Sequence, residues 1–254
     1  MRRFIGVDLA WRSEGNHTGA AVLAGNQSGA ELVALADPIH TLEEVRQFIA
    51  CQSAETTFIA IDAPLIIGNA TGQRCCETAV GRRYGSRHAA CHTSSLKLYP
   101  SASSVELATE LLNQGYTHAP VARGEKRVLL EVYPHAAMVA LFDLPKIIKY
   151  KKGTVMQKRK GLRLLTRHMW RLRNAAPALN TNHALEELLT RDCERLRGVR
   201  LKMYEDMLDA VFCAYLAYYF WFWALKRNEV FGNAEQGYIV NPTLLAGGIE
   251  KHAA

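Results

Sequence analysis

The chain has 254 residues, 49% of them hydrophobic and 22% charged, with 18 Gly and 8 Pro. That length buries a large core without a disulfide or metal staple, and the usage is globular, which excludes a collagenous, mucin-like or mostly disordered chain. Lys and Arg total 31 against 24 acids, a net charge of +7, and six Cys are too sparse for a disulfide scaffold.

The first residues, 1–8, reach Asp8 without the apolar run of a signal peptide, which predicts a cytoplasmic protein. Residues 3–9, 17–24 and 30–36 are short apolar runs joined by turn residues, predicting an antiparallel meander. Thr41, with Glu43 and Glu44 after it, opens a predicted helix to about residue 50. Residues 56–63 are near-continuously apolar and end in Asp62, the pattern of a strand covered on both faces, stopped by Pro64. Residues 65–125 give one clear helix, 104–113, and read as an insertion. Residues 127–132 predict another buried strand and 135–142 a short helix. Helices over 156–173, from Thr181 or Asn182 to about 197, and over 202–226 complete the chain, with no repeat and no firm domain boundary. Residues 210–225 are sixteen apolar residues, short of the roughly 20 of a membrane span, and predict packing against a sheet and no membrane partner.

Charge is unevenly placed. The segment 146–173 holds eleven cations and no acid, while the remainder carries 20 cations and 24 acids. Such a segment suits a polyanion, because neutralising phosphates releases condensed counterions; a solvated helix face is the plainer reading.

Asp8, Asp62 and Glu131 each lie in or at the end of an apolar strand. Burying an unpaired carboxylate costs several kcal/mol, and a hard divalent cation, Mg or Mn, would compensate converging acids. Asp206 and Asp209, three apart, share one helix face at the edge of the aromatic run. Strand acids opposite helix acids can hold two ions about 3.5–4 Å apart, the arrangement for in-line phosphoryl displacement. Each acid also has a plainer reading: backbone N–H acceptors for Asp8 and Asp62, a basic partner for Glu131, helix-dipole acids for Asp206 and Asp209. Cys75, Cys76, His88, Cys91 and His92 lack the C-x-x-C spacing of a zinc site and read as reduced thiols and ordinary histidines. His135 reads as a proton-transfer group or a structural histidine.

The ordered set Gly6–Trp11 (GVDLAW), Ile61–Leu65 (IDAPL), Arg74-Cys75-Cys76-Glu77, Glu131-Val132-Tyr133-Pro134, the Lys-rich residues 149–153, residues 163–165 and the D-x-x-D-A of Asp206–Ala210 resembles the domain-of-unknown-function family 429, described as predicted RNase H-fold nucleases. The D-x-x-D-A helix is similar to the RuvC-type resolvase branch of the RNase H-like superfamily. Where the family usually carries Asp, this chain has Glu77. The resemblance implies an α/β fold of RNase H-like three-layer α/β/α type, with a mixed five-stranded sheet, an insertion and extra C-terminal helices in one domain spanning 1–254. It implies a metal-dependent nuclease acting on DNA, RNA or a hybrid with two Mg or Mn ions. Asp8, Asp62 and Asp209 would be metal ligands, Asp206 and Glu131 ligands or orienting groups, and Arg74, Lys151, Lys152 and Arg163 phosphate contacts. Junction resolvases act as symmetric pairs, so a homodimer is possible. Two alternatives stand beside it: an actin-like or sugar-kinase-like ATP-binding protein, from the faint likeness of Gly6–Trp11 and Ala246-Gly247-Gly248 to its loops, and a nucleic-acid-binding module without catalysis.

Overall fold

In the computed structural model, which describes residues 1–10 and 17–244, the apolar runs form the strands expected of them. β1 (Arg2–Asp8), β2 (Thr18–Asn26) and β3 (Gly29–Ile39) make an antiparallel meander. In α1 (Leu42–Gln52) the Thr41 hydroxyl accepts the Glu44 N–H and the Glu44 carboxylate accepts the Thr41 N–H, a reciprocal cap. β4 (Thr57–Ile61) then returns parallel to β1. α2 (Cys75–Tyr84), α3 (Ser103–Asn113) and the two-residue β5 (Thr117–His118) lead to β6 (Arg127–Glu131). Four helices follow, α4 (Pro134–Leu141), α5 (Val155–Arg171), α6 (His183–Thr190) and α7 (Gly198–Trp223), then a hairpin of β7 (Asn228–Asn233) and β8 (Gly237–Pro242).

The main sheet runs β3-β2-β1-β4-β6-β5, with β1, β4, β6 and β5 parallel and the β1–β3 meander antiparallel. It has six strands where five were expected, because Thr117–His118 adds a short edge strand beside β6. Pleating sorts the side chains. Ile5, Val7, Val22, Ile59 and Ile61 join Val45 and Ile49 of α1 and Leu107 and Leu111 of α3 in one core. Phe4, Ala21, Leu23, Phe58 and Leu130 join α7, α4, α5 and α6 in the other.

Three expectations shift. α6 ends at Thr190, seven residues early, where the chain turns extended at Arg191 and forms a 3-10 turn over Cys193–Arg195. The insertion contains α2, and the residues after α7 form a hairpin in place of further helices. The aromatic stretch is the second half of α7, buried continuously from Tyr204 to Phe220 between the sheet and the outer helices, so it is a core helix of this fold.

α7 reaches the sheet because two strand residues lack side chains. A Cβ at Gly6 would collide with the Ala210 carbonyl oxygen and the Ala214 nitrogen, and one at Gly19 would lie 2.6 Å from the Asp206 carbonyl oxygen. Helix backbone therefore rests directly on strand backbone. Gly6→Ala should cost at least about 3 kcal/mol, at the upper end of overpacking penalties, since the obstructing atoms are backbone. Urea denaturation measures this; a loss under about 1 kcal/mol would mean that the helix lifts off freely.

Candidate active site

Phe4, Gly6 and Asp8 alternate onto the α7 side of β1, and Phe58, Ala60 and Asp62 do so along β4 and its end. Asp62 continues the ladder, its N–H donating to the Val7 carbonyl at 2.9 Å. Both carboxylates thus leave the C-terminal ends of neighbouring parallel strands, on the face where α7 supplies Asp206 and Asp209. Asp8 and Asp62 remain 13% and 20% exposed at the side chain, while Asp209 is fully buried.

The point these acids share is taken by Lys151. Its Nζ is 2.9 Å from Asp209 Oδ2 and 3.8 Å from Oδ2 of both Asp8 and Asp62. Tyr150 donates its hydroxyl to Asp209 Oδ1 at 2.7 Å. Gly161 of α5 lets this segment lie close, since a Cβ there would be 2.7 Å from the Lys149 carbonyl carbon and 2.9 Å from the Tyr150 Cα. Among the described residues no group of three or more His, Cys, Asp or Glu side chains is disposed to hold a metal ion, and the ammonium lies among the acids best placed to do so.

The acids are under electrostatic load. Burial pushes the Asp62 carboxyl up to about 8, with Lys151 opposing and Asp8, Asp209 and Glu131 adding to the rise. Burial raises Asp209 to about 6 against the pull of Lys151. Burial and then Asp8 raise Asp206 to about 8, against Lys202, and Asp206 Oδ2 is buried with no hydrogen-bond partner among the described residues. Burial lowers the Lys151 ammonium, but Asp209 and Asp8 outweigh it and hold it well above the ordinary lysine range. These are hard oxygen donors, one of them orphaned, of the kind an Mg or Mn ion could take, and such an ion would favour their ionised forms.

Two sequence expectations need correction. Glu131 pairs in register with Ile61, one residue out of phase with Asp62, so the pleat sends it away from Asp8 and Asp209. It accepts from both terminal nitrogens of Arg74 and from the Leu65 N–H at 2.8 Å. Arg74, expected to meet a phosphate, is 3% exposed and is consumed internally by Glu131, by Glu77 at 2.9 Å and by the Ile66 carbonyl at 2.9 Å. These groups wall a cavity of about 210 Å³ beside the carboxylates, also lined by Cys91, His92, Tyr133 and His135. Asp206 is tied to Lys202, which also holds Glu205 at 3.0 Å, so it lies beside the three central acids without joining them around Lys151.

On its other side Lys151 borders a groove of about 980 Å³ between α5 and residues 88–92 and 147–153. Exposed Lys149, Lys152, Lys160, Arg163 and Arg167 line it, with Tyr133 and His135 at the junction of the two spaces. Of the expected phosphate contacts, Lys152 and Arg163 are here, Arg163 also pairing with Glu194. The amphipathic period of α5 explains this placement: Leu162, Leu165 and Met169 face inward and the cations outward.

The sequence reading missed Tyr150, Lys202 and Glu205, and gave Glu77 no role. The signals were a tyrosine next to the lysine run and Lys202 four residues before Asp206 on one helix face. His135 is held neutral: burial, then the neighbouring Lys151, His92 and Lys152, lower it to about 3. Trp11 and the Ala246-Gly247-Gly248 run lie outside the described residues.

Arg74→Met should destabilise the fold by about 3–5 kcal/mol in denaturant titrations, since it strands two buried carboxylates; a variant of wild-type stability with weakened polyanion binding would return Arg74 to the surface role. His135 has a folded value below its unfolded value near 6.5, so the unfolded chain takes up its proton first. Stability is therefore lost as pH falls from about 6.5 towards 3. His135→Asn should flatten that acid limb by up to about 1.4 kcal/mol per pH unit, read from urea midpoints at stepped pH.

No curated protein matches the chain. A family model matches residues 6–235, from the first strand through the helix that carries Asp206 and Asp209 and into the last hairpin. On that match the chain belongs to the family described as Protein of unknown function (DUF429).

Proposed function

We propose that the protein is a metal-dependent phosphodiester hydrolase acting on nucleic acid, on an RNase H-like fold. The observation that carries the reading is the convergence of Asp8, Asp62 and Asp209, from two neighbouring strands and a crossing helix, on one cation position. Support for the fold comes from the sheet order, an antiparallel meander continued by parallel strands, with helices on both faces. Support for the substrate class comes from the basic groove that opens beside those acids.

Asp8, Asp62 and Asp209 would hold Mg or Mn, with the unpartnered oxygen of Asp206 a further donor beside Asp8. Such an ion supplies Lewis-acid activation of water and neutralises charge building on the phosphoryl group. Tyr150 fixes one oxygen of Asp209 and so orients its other oxygen. Lys149, Lys152, Lys160, Arg163 and Arg167 would draw the phosphate backbone along the groove and fix its register, without reading bases. His135, neutral at pH 7, can share a hydrogen bond there but is too weak a base to take up a proton and has none to give as an imidazolium. The alternative of a binding module without catalysis draws on the same lysine, which leaves the acids already partnered.

The test is incubation with labelled single-stranded DNA, RNA, duplex and hybrid substrates in Mg or Mn. Cleavage should appear and fall more than about 100-fold in Asp8→Asn, beyond the 10–100-fold typical of losing a partner outside the metal's own ligands. Binding should weaken steeply with salt and with Lys152→Ala/Arg163→Ala. Salt-sensitive binding without cleavage in either metal would leave the binding-module reading, and cleavage undiminished in Asp8→Asn would reject the site.

A further inference from the structure

Lys151 is unlike the other cations of the basic segment. It borders both the acidic cavity and the basic groove, and its ammonium is the only group within ion-pairing distance of all three central aspartates among the described residues. The other buried acids nearby have their own bases: Arg74 serves Glu131 and Glu77, and Lys202 serves Asp206 and Glu205. Among the described residues Lys151 is thus the one cation that reaches all three aspartates, while Lys202 acts on Asp8 from further away. A divalent ion bound by the same oxygens would meet the ammonium at short range, where two like charges repel strongly. The backbone of Lys151 is pinned, because Tyr150 is fully buried, bonded to Asp209 and pressed against Gly161. Its four-carbon stem is less constrained, as the side chain keeps a quarter of its surface exposed and borders both spaces.

We propose that Lys151 is a two-position cation. In the metal-free protein it neutralises Asp8, Asp62 and Asp209; when a divalent ion takes that place, the ammonium turns about its stem into the groove and meets a substrate phosphate there. This rests on the metal-dependent reading above and adds a coupling to it. Metal loading and the grip on the polyanion strengthen each other, since by linkage each ligand must favour the other by the same factor. It also fits both origins of the residue, one among the lysines of a basic segment and one within a carboxylate cluster.

Three measurements on the full-length chain test it. The first is the rate of Lys151 acetylation by an N-hydroxysuccinimide ester, followed by peptide mass spectrometry, with and without Mn. Labelling should be slow in metal-free protein and rise several-fold with Mn, while Lys152 labelling changes little. The second is calorimetric titration with Mn. Lys151→Met should bind about tenfold or more tightly than wild type, and the equal charge change in Lys152→Met should alter affinity less than about threefold, because an exposed charge is screened. The third is anisotropy binding of an uncleavable phosphorothioate oligonucleotide, which Mn should tighten several-fold more in wild type than in Lys151→Met, where only the ion's own charge acts. Mn binding with unchanged Lys151 labelling overturns the two-position proposal and leaves the metal reading standing. Mn binding by Lys151→Met with none by wild type overturns it as well, making the lysine a permanent occupant. No Mn binding by either protein sinks both readings. If Lys151→Met does not fold, the wild-type labelling experiment decides alone.

Discussion

The contact on which the rest depends is backbone against backbone. Helices normally stand about 10 Å from what they pack on, held off by side chains. At Gly6 and Gly19 there is none, and α7 settles onto β1 and β2 until its carbonyls and amides nearly touch the strands. Asp8 is two residues beyond Gly6 and so on the same side of the pleat. Asp206 is the residue lying over Gly19, and Asp209 is less than one turn further along α7. A side chain at either glycine would separate the strand acids from the helix acids. The site is thus a consequence of packing distance before it is a matter of charge.

Charge then limits what can be packed there. Three carboxylates in so little space repel one another, and burial adds to the penalty. The fold answers with groups brought from elsewhere in the chain. Gly161 admits the 149–151 segment, Tyr150 bonds one oxygen of Asp209, and Lys151 lies between the acids. A second network performs a separate task nearby. Arg74, Glu77 and Glu131 tie α2, the loop after β4 and the end of β6 into one rigid wall, with hydrogen bonds to backbone at Leu65, Ile66 and Ser94. Removing one partner of such a buried pair is severe because the remainder keeps its charge without compensation.

What the sequence disclosed follows from which constraints are local. The apolar strand runs, the Thr41 helix start and the i, i+3 spacing of Asp206 and Asp209 involve neighbours in the chain, and all are found in the fold. Glu131 was legible as a buried strand acid, but its phase relative to Asp62 is set by the pairing of two strands seventy residues apart, which no local pattern reports. Arg74 looked like any loop arginine until its two acidic partners, one of them 57 residues away, were in place. α2 hid because it has few apolar positions, and it is held by the hairpin of β7 and β8 and by that ion network more than by an amphipathic stripe. Lys151 was legible as basic and misplaced in detail, since nothing in a run of lysines marks which one the fold turns inward.

The boundary between the two spaces is where function must be decided. Within the length of one lysine side chain the lining changes from carboxylates to exposed cations. A phosphodiester drawn along the groove is attracted up to that boundary and repelled beyond it, because Asp8, Asp62 and Asp209 outnumber the charge of Lys151. It can come against the aspartates only if further positive charge lies between them and the phosphate. Under the proposed function, a cation bridging the two would reconcile a groove suited to polyanions with acids that repel them, and the same charge would polarise the bond to be broken. Tyr133 and His135, at the junction, present uncharged surface there and leave that bridging role to cations.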